Sequence, residues 1–147
     1  MRLKYSDYIA EHPDITAKGA RRGDYPCFYC GQRSSSIDHF IPQAHERSVM
    51  AFIDIGGDQS QGLENLLKNQ RFIPACRECN SLASDGMFDT PDEKKSFVKA
   101  KLRKRYHKVL DIPNWSDKEL SELDYTLRIS VESGVKLRDL IGLRLQW

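Results

Sequence analysis

The sequence has no long apolar run, no internal repeat and no low-complexity segment. Nowhere in its 147 residues does a run approach the roughly 20 consecutive apolar residues needed to cross a bilayer. The first 13 residues alternate charged with apolar side chains, which is not the pattern of a secretory signal peptide. We therefore expect a cytoplasmic protein that does not contact a membrane.

A strong excess of one charge is also missing, since 23 Lys and Arg face 21 Asp and Glu. Hydrophobic residues make up 39% and charged residues 30%, which is too apolar and too evenly charged for a disordered chain. The length suits one globular domain. We predict a single domain over residues 1 to 147, with a lead-in at 1 to 26, a central part at 27 to 90 and a helical, basic extension at 91 to 147.

The small net charge hides an uneven distribution along the chain. Residues 27 to 92 carry five Lys or Arg against nine Asp or Glu, whereas residues 93 to 111 carry eight against two. Basic arms of this kind most often contact nucleic acid. The alternative for this segment is the solvated outer face of a packed helix.

The four cysteines form two Cys-x-x-Cys pairs, Cys27 with Cys30 and Cys76 with Cys79. In a reducing compartment, two such pairs supply the four thiolates of a tetrahedral zinc site. Gly31 follows the first pair as in a zinc knuckle, where glycine lets the backbone turn tightly around the metal. The alternative is a reduced, buried set of thiols without metal. A gap of 45 residues separates the pairs, so the predicted zinc site encloses an inserted segment.

The secondary-structure pattern predicts an α+β domain. Strand-like runs cover residues 35 to 41 and 70 to 75, and short helices are expected at 43 to 53 and 77 to 83, with a glycine-marked loop after the first. Ahead of these, an amphipathic stretch at residues 3 to 10 predicts a short N-terminal helix, followed by a charged loop around residues 19 to 23.

Two or three helices are expected in the extension. Apolar residues from Phe97 to Leu110 recur with a period near 3.6, and Pro113 ends that pattern. Ser116 and Glu119 form a capping box that predicts the start of a second helix. Gly134 interrupts the pattern before a final apolar stretch.

Four polar residues stand in a recognisable order around the cysteines: Asp38 and His39 in SIDHFIP, Asn65 in LENLL and Asn80 in PACRECNSL. Over about residues 26 to 85 the chain resembles the HNH endonucleases, in the subset whose ββα-metal core is braced by a four-cysteine zinc site. The resemblance implies that His39 is the general base, that Asp38 and Asn80 bind one catalytic divalent ion, and that Asn65 anchors the connecting loop. It also implies a bacterial or phage-infected host cell as the setting.

The chemistry of these side chains agrees with those roles. Phosphodiester hydrolysis requires water to lose a proton near neutral pH, and imidazole has a suitable pKa of about 6.5. A carboxylate and an amide oxygen suit a hard cation such as Mg²⁺ or Mn²⁺, which neutralises charge on the phosphate. Because neighbouring side chains on a strand face opposite ways, the strand must end or bulge for Asp38 and His39 to reach one phosphate.

Contacts to double-stranded DNA are expected from basic residues. Many members of the family have a lysine shortly after the last motif residue, but none follows Asn80 here, and Arg71 or Arg77 is expected to replace it. The predicted DNA-binding residues are Arg71, Arg77, Lys99, Arg103, Lys104 and Arg105. His45 is expected to lie outside the site.

Two other functions fit the same residues. One is a non-catalytic zinc module that binds nucleic acid or a protein, with Asp38 and His39 forming only a hydrogen-bonded pair at the strand end. The other is RNA cleavage, since the motif recognises a phosphate and not a base.

Overall fold

The computed structural model describes residues 16–58 and 60–147. The helix predicted at residues 3 to 10 lies outside the described residues. The elements in chain order are α1 (Ala17–Arg22), β1 (Ser36–His39), α2 (Gln43–Asp54), α3 (Ser60–Asn69), β2 (Phe72–Ala75), α4 (Arg77–Ala83), α5 (Pro91–Arg105), α6 (His107–Leu110), α7 (Asp117–Ser121) and α8 (Tyr125–Gln146). Helices surround one small sheet, which is the expected α+β class.

The sheet is an antiparallel pair of strands, and both predicted strands are confirmed. Ser36 pairs with Ala75 and His39 pairs with Phe72, so the strand end that carries His39 lies beside the start of β2. Pro74 is tolerated because a two-stranded sheet consists of edges only, and its carbonyl accepts a hydrogen bond from Phe28 N at 2.9 Å. The first cysteine knuckle therefore borders β2.

The basic helix α5 packs mainly on α4, reaches the end of β1 through Lys94, and contributes part of the core. Its N-terminus is capped by Thr90, whose side chain accepts from Glu93 N, and Pro91 occupies the first turn. Val98 and Leu102 are fully buried, and so is Lys94, one turn before Val98. This spacing places a lysine on the apolar face of the helix.

Three local predictions were wrong. The charged loop near Gly19 is helix α1, which Thr16 caps and which ends at Gly23 with a left-handed φ of 83°. The loop expected up to Gly62 contains the start of α3. Gly134 does not interrupt the last helix, because α8 continues through it without a break.

The capping box of Ser116 and Glu119 is confirmed, but the helix that it begins ends at Ser121. Asp124 then caps α8, its side chain accepting from Leu127 N at 3.0 Å. Pro113 does end the preceding helical segment, since α6 stops at Leu110. The extension thus contains two long helices, α5 and α8, joined by the two short helices α6 and α7, where two or three helices were expected.

Candidate functional site

The four cysteines form one buried cluster. Their Sγ atoms all lie within 4.8 Å of one another, and Cys30 Sγ is 3.8 Å from Cys76 Sγ. Tetrahedral zinc with Zn–S bonds of about 2.3 Å would separate its thiolates by about 3.8 Å. Gly31 has a φ of 71°, the left-handed turn expected of a knuckle. The donor set and its spacing therefore fit a zinc ion.

The close approach of the sulfurs also changes their acidity. Hydrogen bonds among the thiols lower the pKa of Cys76 to about 6 and also lower the pKa of Cys30. The same shared hydrogen bonds raise the pKa of Cys27 and Cys79. Zinc binds cysteine as the thiolate, so close hydrogen-bonded sulfurs that share their protons are compatible with a divalent cation at the centre of the cluster.

Arg144 of α8 lies against this cluster. Its Nη2 donates to Cys79 Sγ at 3.8 Å, and its Nη1 forms an ion pair with Glu78 Oε2 at 2.7 Å. The residue is only 4% exposed. A buried cation is electrostatically compatible with four thiolates around zinc, which carry a net charge of about −2. The C-terminal helix thereby contributes to the surroundings of the metal site.

A pocket of about 300 Å³ opens at the end of β1, and no cysteine of the cluster lines it. Asp38, His39 and Asn80 all line it. β1 ends at His39, which meets the requirement that the strand end at this pair. The pocket is completed by Ile37, Pro42, Gln43, Ser81, Ser84 and Asp85.

The Asp38 carboxylate is buried and already has two partners. Its Oδ2 forms an ion pair with Lys94 Nζ at 2.8 Å and accepts a short hydrogen bond from the Tyr29 hydroxyl. Burial raises the pKa of Asp38, while Lys94 and Tyr29 act in the opposite direction. Burial also raises the pKa of Tyr29, which keeps its hydroxyl as the donor. The second oxygen, Oδ1, takes part in neither contact.

The surroundings of His39 favour the neutral form of its ring. Burial lowers the pKa of its ring, although the carboxylates of Glu46 and Asp38 act against that shift. The ring lies edge-on to Phe72 at 4.8 Å between centroids, and Nε2 is 3.0 Å from the amide nitrogen of Gln43. Arg47 donates to Gln43 Oε1 at 3.4 Å, so the amide NH₂ group faces the ring and donates to Nε2. With this amide orientation Nε2 accepts, and the proton of the neutral ring lies on Nδ1, which is buried without a hydrogen-bond partner among the described residues.

Asn80 lies on α4, one residue after a zinc-site cysteine. Its Nδ2 donates to Ile37 O and to Ser36 Oγ, both at 3.1 Å, which ties the helix to β1. Because the nitrogen is used in this way, Oδ1 remains for the pocket. α4 is itself capped by Cys76, whose Sγ accepts from Cys79 N at 3.4 Å.

The structure does not bring Asn65 to the pocket. It lies on the exposed face of α3, where its Oδ1 accepts from Asn69 Nδ2, and it lines a separate cavity with Asp58. The connecting segment is held instead by Gln70, which is fully buried. Gln70 Oε1 accepts from Ile41 N at 2.7 Å, and Gln70 Nε2 donates to Ile41 O at 2.8 Å.

Two of the predicted DNA-contacting residues donate hydrogen bonds to backbone carbonyls. Arg71 Nη1 donates to the carbonyls of Lys68 and Gln70 at the end of α3. Lys99 Nζ donates to Trp147 O at 2.6 Å.

Arg105 pairs with Glu78 at 3.0 Å, while Arg103 and Lys104 are exposed on α5. Arg77 is exposed at the start of α4, one turn before Asn80. The predicted basic surface therefore retains Arg77, Arg103 and Lys104 as exposed cations, whereas His45 is exposed on α2 and does not line the pocket.

Sequence reasoning missed Tyr29, Gln43, Gln70 and Lys94. A signal for Lys94 was present, because Lys94, Val98 and Leu102 recur every four residues on one helix face. The others carry no comparable signal, since their partners are set by the folded chain.

Among the described residues, the cysteines are the only group of three or more His, Cys, Asp or Glu side chains close enough to hold a metal. No helix in residues 16–58 and 60–147 combines the length and apolarity needed to span a membrane. Comparisons with protein-family models, with curated proteins and with solved structures find no match for this chain.

Proposed function

We propose that this protein is a divalent-metal-dependent endonuclease that hydrolyses DNA phosphodiester bonds, with a zinc-braced ββα-metal core of the HNH type. The observation that carries the proposal is the convergence of Asp38, His39 and Asn80 on one pocket at the end of β1. β1 and α4 supply the three residues, with α2, α3 and β2 between them in the chain, and the cysteine cluster lies at the first turn of α4.

His39 is the general base in this proposal. A neutral ring with its lone pair on Nε2 can accept a proton from water at neutral pH, and burial keeps the ring neutral. The Gln43 amide must turn away from Nε2 before a water molecule can take its place. Gln43 and Arg47 thus set the orientation of the base in the resting state.

The catalytic ion would be held by Asp38 and Asn80. Asp38 Oδ1 and Asn80 Oδ1 are the oxygens left by the contacts of these side chains with Lys94, Tyr29 and β1. Mg²⁺ or Mn²⁺ there would supply charge neutralisation at the scissile phosphate. Lys94 lies behind the carboxylate and fixes its direction.

The test is a plasmid nicking assay with Mg²⁺ or Mn²⁺, in which wild type is compared with His39→Ala and His45→Ala at equal zinc content. His45 is a matched control because it is an exposed histidine outside the pocket. We expect His39→Ala to lose at least 100-fold in rate, since general bases contribute about 10²–10⁴, and His45→Ala to retain wild-type activity. The proposal fails if no divalent ion supports nicking, or if His39→Ala nicks as wild type does. Matched DNA and RNA duplexes then define the substrate.

A second candidate is a non-catalytic zinc module that binds nucleic acid or a protein. The Asp38–Lys94 ion pair favours it, because a buried ammonium already neutralises the carboxylate that the nuclease needs for its ion. This candidate predicts salt-dependent DNA binding that survives His39→Ala, without cleavage. Arg103→Ala together with Lys104→Ala should weaken that binding.

A further inference from the structure

Tyr29 belongs to the first cysteine knuckle and also contacts a residue of the pocket. It lies between Cys27 and Cys30 in the chain, and its side chain is fully buried. Its hydroxyl donates a short hydrogen bond to Asp38 Oδ2. One buried side chain therefore joins the cysteine cluster to the carboxylate that lines the pocket.

The knuckle fixes the position of this hydroxyl. Gly31 N donates to Cys27 O at 2.9 Å, which closes the turn that carries Tyr29, and Phe28 N donates to Pro74 O at 2.9 Å, which fastens that turn to β2. The Phe28 and Tyr29 rings meet edge to face, with 5.4 Å between their centroids. A zinc ion would hold the same turn from both sides, because cysteines of the cluster flank the two aromatic residues. The Tyr29 hydroxyl is thus a donor whose place is set by the metal site.

The direction of the Asp38 carboxylate depends on its donors. The last torsion of an aspartate side chain has broad minima, so the partners of the two oxygens decide which oxygen faces a pocket. Tyr29 and Lys94 both bind Oδ2, with Lys94 Nζ at 2.8 Å, and Oδ1 takes part in neither contact. Without the Tyr29 hydroxyl, the Lys94 ammonium alone would hold the carboxylate and would be free to share Oδ1. Two donors on one oxygen therefore keep the other oxygen available to a ligand.

We propose that Tyr29 is a positioning residue for the catalytic divalent ion. The knuckle holds the Tyr29 hydroxyl against Oδ2 and thereby directs Asp38 Oδ1 to the ion, so the zinc site supports the catalytic site through one side chain. This inference rests on the proposed function, because it requires an ion at Asp38 and Asn80. Removing a hydrogen bond that orients a metal ligand from behind typically lowers metal affinity or activity by about 10- to 100-fold.

The first test measures Mn²⁺ binding by electron paramagnetic resonance, at equal zinc content and without DNA. Tyr29→Phe removes only the hydroxyl and keeps the ring in the core, and it should raise the Mn²⁺ dissociation constant about tenfold. Asp38→Asn defines the site and should weaken the same binding at least as much. Tyr106→Phe is the matched control, because the Tyr106 hydroxyl also donates to a carboxylate, Glu78 Oε1 at 2.6 Å, and neither residue lines the pocket. It should bind Mn²⁺ as wild type does.

Two further measurements separate positioning from a general effect on the fold. In the plasmid assay, Tyr29→Phe should need about ten times more Mn²⁺ for half-maximal nicking, with a rate at saturating Mn²⁺ within about threefold of wild type. A merely structural hydroxyl would leave this Mn²⁺ requirement unchanged. The second measurement needs no variant: Mn²⁺ is paramagnetic, so an ion bound at Asp38 Oδ1 should broaden the NMR signals of the Tyr29 ring in wild type.

The outcomes distinguish this inference from the proposed function. Wild-type Mn²⁺ affinity in Tyr29→Phe would overturn the role of Tyr29, as would Mn²⁺ binding that Asp38→Asn leaves unchanged, or Tyr29 signals that stay sharp at saturating Mn²⁺. The nuclease proposal would stand in the first case if His39→Ala still lost its activity. Conversely, weaker Mn²⁺ binding by Tyr29→Phe in a protein that nicks no DNA would refute the nuclease and support the role of Tyr29 in holding the ion.

Discussion

Replacing Lys94 with methionine should destabilise the protein in a pH-dependent way. Lys94 is fully buried, its Nζ lies 2.8 Å from Asp38 Oδ2, and it also donates to His39 O at 3.2 Å. Removing one partner of a buried ion pair typically costs about 3–5 kcal/mol, because the other charge stays buried without compensation. A loss of that size is large against a total stability of about 5–15 kcal/mol.

Protonation of Asp38 sets an upper limit to this loss. Without Lys94 the buried carboxyl becomes neutral, and protonating a group with an unfolded pKa of about 3.9 at pH 7 costs about 4 kcal/mol, or about 1.4 kcal/mol per pH unit. The folded variant then binds one proton more than its unfolded state, so its stability falls relative to wild type as pH rises. The difference in unfolding free energy should grow from about 3 kcal/mol at pH 6 to about 4 kcal/mol at pH 7.

Urea denaturation followed by circular dichroism, with zinc present between pH 6 and 8, measures this difference. Lys95→Met is the matched control, since Lys95 is half-buried and contacts the Phe28 ring at 5.0 Å. It should lose less than about 1 kcal/mol and show no slope with pH. In the Lys94→Met background, Asp38→Asn should abolish the slope. A loss without pH dependence would refute a charged Asp38–Lys94 pair.

Two further outcomes are expected. Arg144→Met should speed the loss of zinc to a colorimetric chelator by about 10- to 100-fold, because Arg144 donates to Cys79 Sγ and outer groups of this kind tune metal affinity; an unchanged release rate would contradict this. His39 has a lowered pKa in the fold, so its contribution to stability is fully present above its ordinary value of 6.5 and is lost as pH falls through the folded value. His39→Gln should therefore flatten the fall in unfolding free energy between pH 7 and pH 5, and identical profiles for the two proteins would exclude this effect.

The parts of the fold that could be predicted from the sequence are those indicated by patterns within a few consecutive residues. Two-residue cysteine spacing, alternation at the strands and the capping box of Ser116 with Glu119 each lie within a few residues, and each is matched by the structure. α3 escaped prediction because Gly62 was read as a loop residue, although it lies inside the first turn of a helix that ends at Asn69. Local glycine content is a weak guide where tertiary packing stabilises the helix.

The contacts of the pocket residues could not be predicted, because they join residues that are far apart in the sequence. Lys94 comes 56 residues after Asp38 in the chain, and its role follows only from the docking of α5 on β1. Gln70 rather than Asn65 holds the segment after β1, because α3 turns Asn65 outward while Gln70 enters the core between α3 and β2. Composition had assigned Lys94 to a basic surface, since charge alone does not reveal which face of a helix is buried.

The start of α4 inside the cysteine cluster limits how the chain can vary in length. Cys79 and Asn80 are consecutive, so one inserted residue between them would rotate Asn80 by about 100° around the helix axis and away from β1. The thiolate set would remain intact after such an insertion, and the protein would fold and bind zinc with a disrupted pocket. An insertion at the exposed turn of Ile55 and Gly56 would leave both in place. The number of residues is therefore fixed where α4 leaves the zinc cluster, whereas the turn at Ile55 and Gly56 tolerates insertions.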